Sequence, residues 1–94
     1  MRIDLDTTDI PTAGTRVRIS NTTDKVKQIS VAGRPTNVGN IFFGLSDVSS
    51  TKGWLLRPGD SYTFDFKEGS VLFSVFYVDA ATNGDDADWA VILE

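Results

Sequence analysis

Four carboxylates crowd one short stretch late in this 94-residue chain: Asp79, Asp85, Asp86 and Asp88, within D-A-A-T-N-G-D-D-A-D. Two kinds of chemistry can start from such a cluster. Calcium takes about six to eight oxygens, often on a tight glycine-containing turn. Asp79, Asn83 and Asp85 follow the first, fifth and seventh places of an EF-hand loop, but the third place is Ala81 and the twelfth is Ala90. A hairpin turn at Asn83-Gly84 with acidic flanks accounts for the same residues more simply, because Asn-Gly is a strong two-residue turn signal. Two carboxyl groups at a set separation can also hydrolyse a glycosidic bond, provided one of them is kept protonated. Nothing in a polar loop promises that.

Other catalytic constellations fail on residue type. There is no histidine and no cysteine, which removes the commonest general base, the commonest metal ligand and the thiolate nucleophile. Only a serine–lysine arrangement remains. Lys52 does follow Ser49, Ser50 and Thr51, yet a loop of small polar residues explains that grouping. Phosphate-binding loops, dinucleotide fingerprints and zinc spacings are absent from the sequence. The chain reads as a binding protein without a catalytic residue, resident metal or cofactor.

The cations offer a better lead. Arg16 and Arg18 alternate with Val17 and Ile19, while Lys25 and Lys27 open the next strand. If segments 15–20 and 25–33 pair antiparallel across their short connection, their outward faces carry these four as one basic patch. That patch would meet an acidic surface, including the chain's own C-terminal region. Alternatively, the cations guard sheet edges against aggregation. The formal net charge is −4, eight of the nine basic residues lie between Arg16 and Lys67, and the stretch from Asp79 to Glu94 holds five acids and no base. This balance argues against nucleic acid as a partner. Trp54 and Trp89 raise the question of sugar stacking or core packing. Trp54, directly after a polar loop, is the one expected to be partly exposed.

The elements that must position these residues are strands. Residues 61–66 alternate cleanly, with Tyr62, Phe64 and Phe66 on one face. Before them, Arg57-Pro58-Gly59-Asp60 is a turn signal, with proline presetting φ at the second place and glycine supplying positive φ at the third. Further strands are expected at 15–20, 25–33, 41–44, 54–56, 71–78 and 87–93, with a hairpin-type connection at 67–70. Segment 71–78, V-L-F-S-V-F-Y-V, is apolar on both faces and reads as a central strand covered by a second layer or a neighbouring subunit. Residues 1–14 form an arm, either an edge strand or a flexible tail. The N-terminus lacks an apolar signal-peptide core, and no apolar run is long enough to span a bilayer. The expectation is one domain, residues 15–94, folded as a jelly-roll-like β-sandwich of seven to eight short antiparallel strands.

Residues 37–66 add a resemblance. Asn40-Ile41-Phe42-Phe43-Gly44, the polar loop 46–51, and Gly53-Trp54-Leu55-Leu56-Arg57-Pro58-Gly59-Asp60-Ser61 resemble a recurring segment of small structural proteins of tailed bacteriophages and prophages. The match covers about a third of the chain well; Arg57 and the acidic stretch 79–88 depart from the pattern. The resemblance implies a capsid decoration protein on the virion surface, made in the bacterial host cytoplasm, which binds the major capsid protein and acts as a homo-oligomer, a trimer by preference. Stacked subunits would also cover the apolar face expected at 71–78. The neighbouring possibilities are a tail or fibre component touching host glycans through Trp54 and the 46–52 loop, and a carbohydrate- or calcium-binding module. Arg16, Arg18, Lys25, Lys27 and Trp54 are the partner-binding candidates, with Asp79, Asn83 and Asp85 as the calcium alternative.

Overall fold

A computed structural model describes residues 2–66 and 71–94. The strands are β1 (Arg2–Ile10), β2 (Val17–Arg18), β3 (Lys25–Gly33), β4 (Ile41–Gly44), β5 (Trp54–Leu56), β6 (Ser61–Asp65), β7 (Val71–Leu72), β8 (Tyr77–Ala80) and β9 (Asp85–Leu93), with one 3-10 turn at Phe73–Val75. They form two antiparallel sheets. One runs β1-β9-β3-β6, with β7 also on β3, and the other runs β2-β8-β4-β5. This is an all-β sandwich. Among the described residues no helix is long and apolar enough to cross a membrane.

Alternation builds the core. Along β9, Ala87, Trp89, Val91 and Leu93 are buried while the residues between them are half-buried, which is the period-two signature of a strand with one face inward. β3 follows the same rule with one break. Its buried residues are Val26, Ile29, Val31 and Gly33, and the three-residue step from Val26 to Ile29 coincides with a register shift against β9 between Val26 and Gln28. The extra residue of the bulge restores the inward face. From the second sheet, Ile41, Phe43, Leu56 and Val78 meet this row in one cluster. Burying each such aliphatic side chain is worth roughly 1.5–3 kcal/mol.

One positive-φ glycine sets the corner that joins the sheets, and a second closes the β4–β5 connection within one sheet. At residues 57–60 the amide of Asp60 donates to the carbonyl of Arg57 at 2.8 Å and Gly59 has φ 90°, as the Pro-Gly pair predicts. The amide of Gly59 then donates to Gly33 O at 2.9 Å, seating the turn on the end of β3. Upstream, Gly53 has φ 135°, and a Cβ there would lie 2.7 Å from Val48 Cγ2 and 2.8 Å from Phe43 O. Loop 45–53 therefore closes tightly on itself, with Val48 buried beneath it.

Three expectations are corrected. Segments 15–20 and 25–33 do not pair: β2 joins β8 in one sheet and β3 lies in the other. Segment 71–78 is not a single strand. It leaves β3 as β7, turns once, and enters the opposite sheet as β8, burying Phe73, Phe76 and Val78 on the way. Its two-faced apolarity thus reflects a crossing between layers, with Leu72 of β7 remaining exposed. Asn83-Gly84 does turn, with Gly84 at φ 81°, but it links strands of different sheets and makes no hairpin. The connection expected at 67–70 lies outside the described residues. Arg2–Ile10, within the arm, is an edge strand paired along its whole length with β9.

Candidate functional site

The three calcium candidates are held in separate tasks. Asp79 and Asp85 are buried. Asp79 Oδ1 accepts the amides of Gly14 at 3.0 Å and Ala80 at 2.8 Å. Asp85 accepts Val38 N–H on Oδ1 at 3.0 Å and Gly39 N–H on Oδ2 at 2.8 Å. Asn83 Oδ1 accepts the amide of Ala13 at 2.7 Å. Each side chain pins a loop that lies far away in sequence. Hydrogen bonds from amides to a carboxylate compensate its burial, which is otherwise expensive. No group of three or more acidic side chains suited to a metal occurs among the described residues.

The four cations are likewise not brought together as one strand pair. Arg16 and Arg18 belong to the β2 region, whereas Lys25 and Lys27 lie on β3 in the other sheet. Arg18 donates from Nε and Nη2 to the Tyr77 hydroxyl at 3.0 and 2.7 Å, so its guanidinium is packed onto β8. The hydrogen bond from Lys52 Nζ holds Asp47 below the ordinary carboxylate range, with the Lys52 charge and, least, that of Arg16 acting the same way against desolvation.

The tryptophans divide as expected. Trp89 is buried, with its ring edge-on to Phe73 at 5.1 Å and its indole N–H donated to Thr8 Oγ1 at 3.0 Å. Trp54 is 46 % exposed. It sits on β5, the outer strand of one sheet, and the 57–60 turn brings it against β6, the outer strand of the other. There it meets Phe64 edge-on at 4.7 Å and Tyr62 at 5.8 Å. From Phe64 the rings continue inward through Phe43 at 5.5 Å and Phe76 at a further 5.6 Å. The two rings at the surface end are therefore backed by the core. Preorganised aromatic faces of this kind suit stacking on a sugar or anchoring a protein partner.

Tyr62 is the member of this edge that is missing from the partner-binding candidates. It shares a face with Phe64, yet it remains 44 % exposed because β6 is the last strand of its sheet. Its place directly after the turn was the available signal. Beside Trp54, a cleft of about 170 Å³ is lined by Leu45, Asp47, Val48 and Lys52. Leu55, the next residue of β5, is also exposed, on the opposite face of the strand.

A second feature stands on the opposite side of the sandwich. Asp9 and Asp86 are direct cross-strand partners of β1 and β9. Partial burial raises the Asp86 pKa, and the hydrogen bond and charge of Asp9 push it the same way; Arg34 opposes the shift and Asp88 adds to it. Arg34 Nε lies 3.5 Å from Asp88 Oδ1. No protein-family model, curated protein or solved structure matches this chain.

Proposed function

We propose that this chain is a non-catalytic structural protein of a tailed-phage virion, which decorates and stabilises the capsid by binding the major capsid protein. The observation that carries this reading is a coincidence of place. The segment that resembles such proteins, residues 37–66, folds into the β4–β6 corner, and that corner also bears exposed Trp54, Leu55 and Tyr62. A rigid corner presenting half-exposed aromatic anchors is the composition of an interface core. Adding such a surface across neighbouring shell subunits opposes their separation by burying apolar area. A homo-oligomer, a trimer by preference, belongs to the same proposal. With Phe73, Phe76 and Val78 in the core, we assign that contact to the half-exposed aromatic edge of β5 and β6.

A second reading is favoured by the Trp54–Tyr62 pair with the charged side chains of Asp47 and Lys52 near it. This is a tail or fibre component whose aromatic edge stacks on host glycans. One experiment separates the two. Immunogold electron microscopy of purified particles, with an antibody against this chain, should label heads if it is a decoration protein. Label at the tail favours the glycan reading, and unlabelled particles, with native recognition by the antibody established, would retire the virion proposal.

A further inference from the structure

The free edge of β1 carries a lock with a defined chemistry. In an antiparallel ladder the backbone groups of successive residues point alternately to one neighbour and then the other. Asp86 O accepts from Arg34 N, and Glu94 N donates to Lys25 O, so the even-numbered residues of β9 face β3. Its odd-numbered residues therefore face β1, where Leu93, Val91, Trp89, Ala87 and Asp85 meet Arg2, Asp4, Asp6, Thr8 and Ile10. It follows that Ile3, Leu5, Thr7 and Asp9 turn their amides and carbonyls outward. Among the described residues no strand pairs with that side of β1.

Two of the outward amides are already engaged. Leu5 N–H donates to Asp4 Oδ1 at 3.0 Å, and Thr7 N–H donates to Asp6 Oδ1 at 2.8 Å. Each carboxylate belongs to the residue just before the amide it holds, and both aspartates are exposed. Alternating with them, Ile3 and Leu5 are 67 % and 71 % exposed on the other face of the strand. A long edge with exposed apolar residues ordinarily invites another strand. Here an incoming strand must displace the carboxylates and then lie alongside them.

We infer that the free edge of β1 is a strand-docking surface for an extended partner segment with lysine or arginine at alternate positions and apolar residues between them. The juxtaposition decides the charge. As a basic strand docks, Asp4 and Asp6 exchange an amide for an ammonium or guanidinium on the neighbouring strand, a favourable cross-strand pair. The freed amides of Leu5 and Thr7 then donate to the partner's carbonyls, and Ile3 and Leu5 gain apolar neighbours. A neutral strand displaces the same carboxylates without recompense. A second copy of β1 pairing antiparallel about Leu5 adds like charges, because Asp4 and Asp6 of each strand would lie opposite Asp6 and Asp4 of the other. The edge therefore selects by repulsion as well as attraction. This inference holds whether or not the chain belongs to a virion.

The test uses the whole protein and two nine-residue peptides with valine and threonine at alternate positions, one carrying lysine between them and the other glutamate. Fluorescence anisotropy at low salt should show the lysine peptide binding at least tenfold more tightly. Amide exchange followed by NMR should slow at Leu5 and Thr7 on binding. Replacing Asp4→Lys and Asp6→Lys together should reverse the preference, and Asp4→Asn with Asp6→Asn should abolish it, with circular dichroism checking that each variant is folded. Equal binding of both peptides, binding of neither, or unchanged exchange at Leu5 and Thr7 overturns the inference. So does a dimer of the wild-type protein that protects those amides, since the occupant would then be a second copy.

Discussion

The indole of Trp89 donates to Thr8 Oγ1 across 3.0 Å, tying a buried ring of the central strand β9 to the edge strand β1. The bond gives the outermost strand a side-chain anchor besides its backbone ladder. Replacing Thr8→Val keeps the shape and removes the acceptor. A buried donor without a partner costs about 1–3 kcal/mol, so the variant should lose that much stability in urea unfolding. Thr8→Ser, which keeps a hydroxyl, should lose less. Equal losses for both variants would show that packing, and not the acceptor, holds the ring.

Two glycines with positive φ make a matched comparison. A Cβ added to Gly59, at φ 90°, would have nothing within 4 Å, whereas one on Gly53 would strike both Phe43 O and Val48 Cγ2. Gly59→Ala therefore meets only the conformational penalty of a left-handed backbone, about 1 kcal/mol. Gly53→Ala adds a steric collision with backbone that has no room to yield, and should cost clearly more, on the order of 2–3 kcal/mol. Chemical denaturation of the two variants checks the order. A larger loss at Gly59 would contradict the account of the 45–53 loop.

What could be read from residue order alone was local. Tyr62, Phe64 and Phe66 declare β6 by alternation, and Pro58-Gly59 declares the turn before it, because both signals depend only on neighbours a few places away. Sheet membership did not follow from the same signals. Ile19 and Phe76 are joined by a 3.0 Å backbone bond, and Phe73 N–H reaches Asp24 O at 2.8 Å. The chain therefore changes layer both after β2 and between β7 and β8, and an apolar run looks alike whether it fills one sheet or crosses between two. The buried carboxylates were hidden for a related reason. Asp79 and Gly14 are 65 residues apart, and Asp85 and Val38 are 47 apart, so an acidic cluster in the sequence resolves into loop anchors only once the fold brings those amides near.

That reassignment can be tested with metal and with mutation together. Because Asp79, Asn83 and Asp85 already serve amides of different loops, millimolar calcium should leave the melting temperature of the wild-type protein unchanged, as should EDTA. Asp85→Ala removes a buried acceptor of two amides, each bond to a charged group being worth about 1.5–3 kcal/mol. Losing both bonds should destabilise the variant by roughly 3–6 kcal/mol and should make the amides of Val38 and Gly39 exchange faster. A calcium-dependent rise in melting temperature that disappears in Asp85→Ala would return these residues to a metal site.

The Asp9–Asp86 pair gives the pH dependence its sign. Burial first, and Asp9 second, raise the Asp86 pKa above its usual value of 3.8, so the folded protein binds that proton more tightly than the unfolded chain does. The associated stability is fully present below the unfolded pKa and is lost as pH rises through the raised folded value. Arg34 works against the shift, and Asp88 works with it. Asp86→Asn removes the charge while leaving the backbone bonds to Asn37, in which the Asp86 side chain takes no part. Like charges directly opposite in a ladder are unfavourable by about 0.2–1 kcal/mol, so the variant should exceed the wild type by that amount at pH 7. The advantage should shrink toward zero as pH falls below about 4, where both chains carry a neutral group at this position. Thermal melts of the two proteins from pH 3 to pH 8 measure the difference directly. An advantage that stays constant across the range would mean that Asp86 is not titrating against Asp9, and one that grows in acid would reverse the assigned direction of the shift.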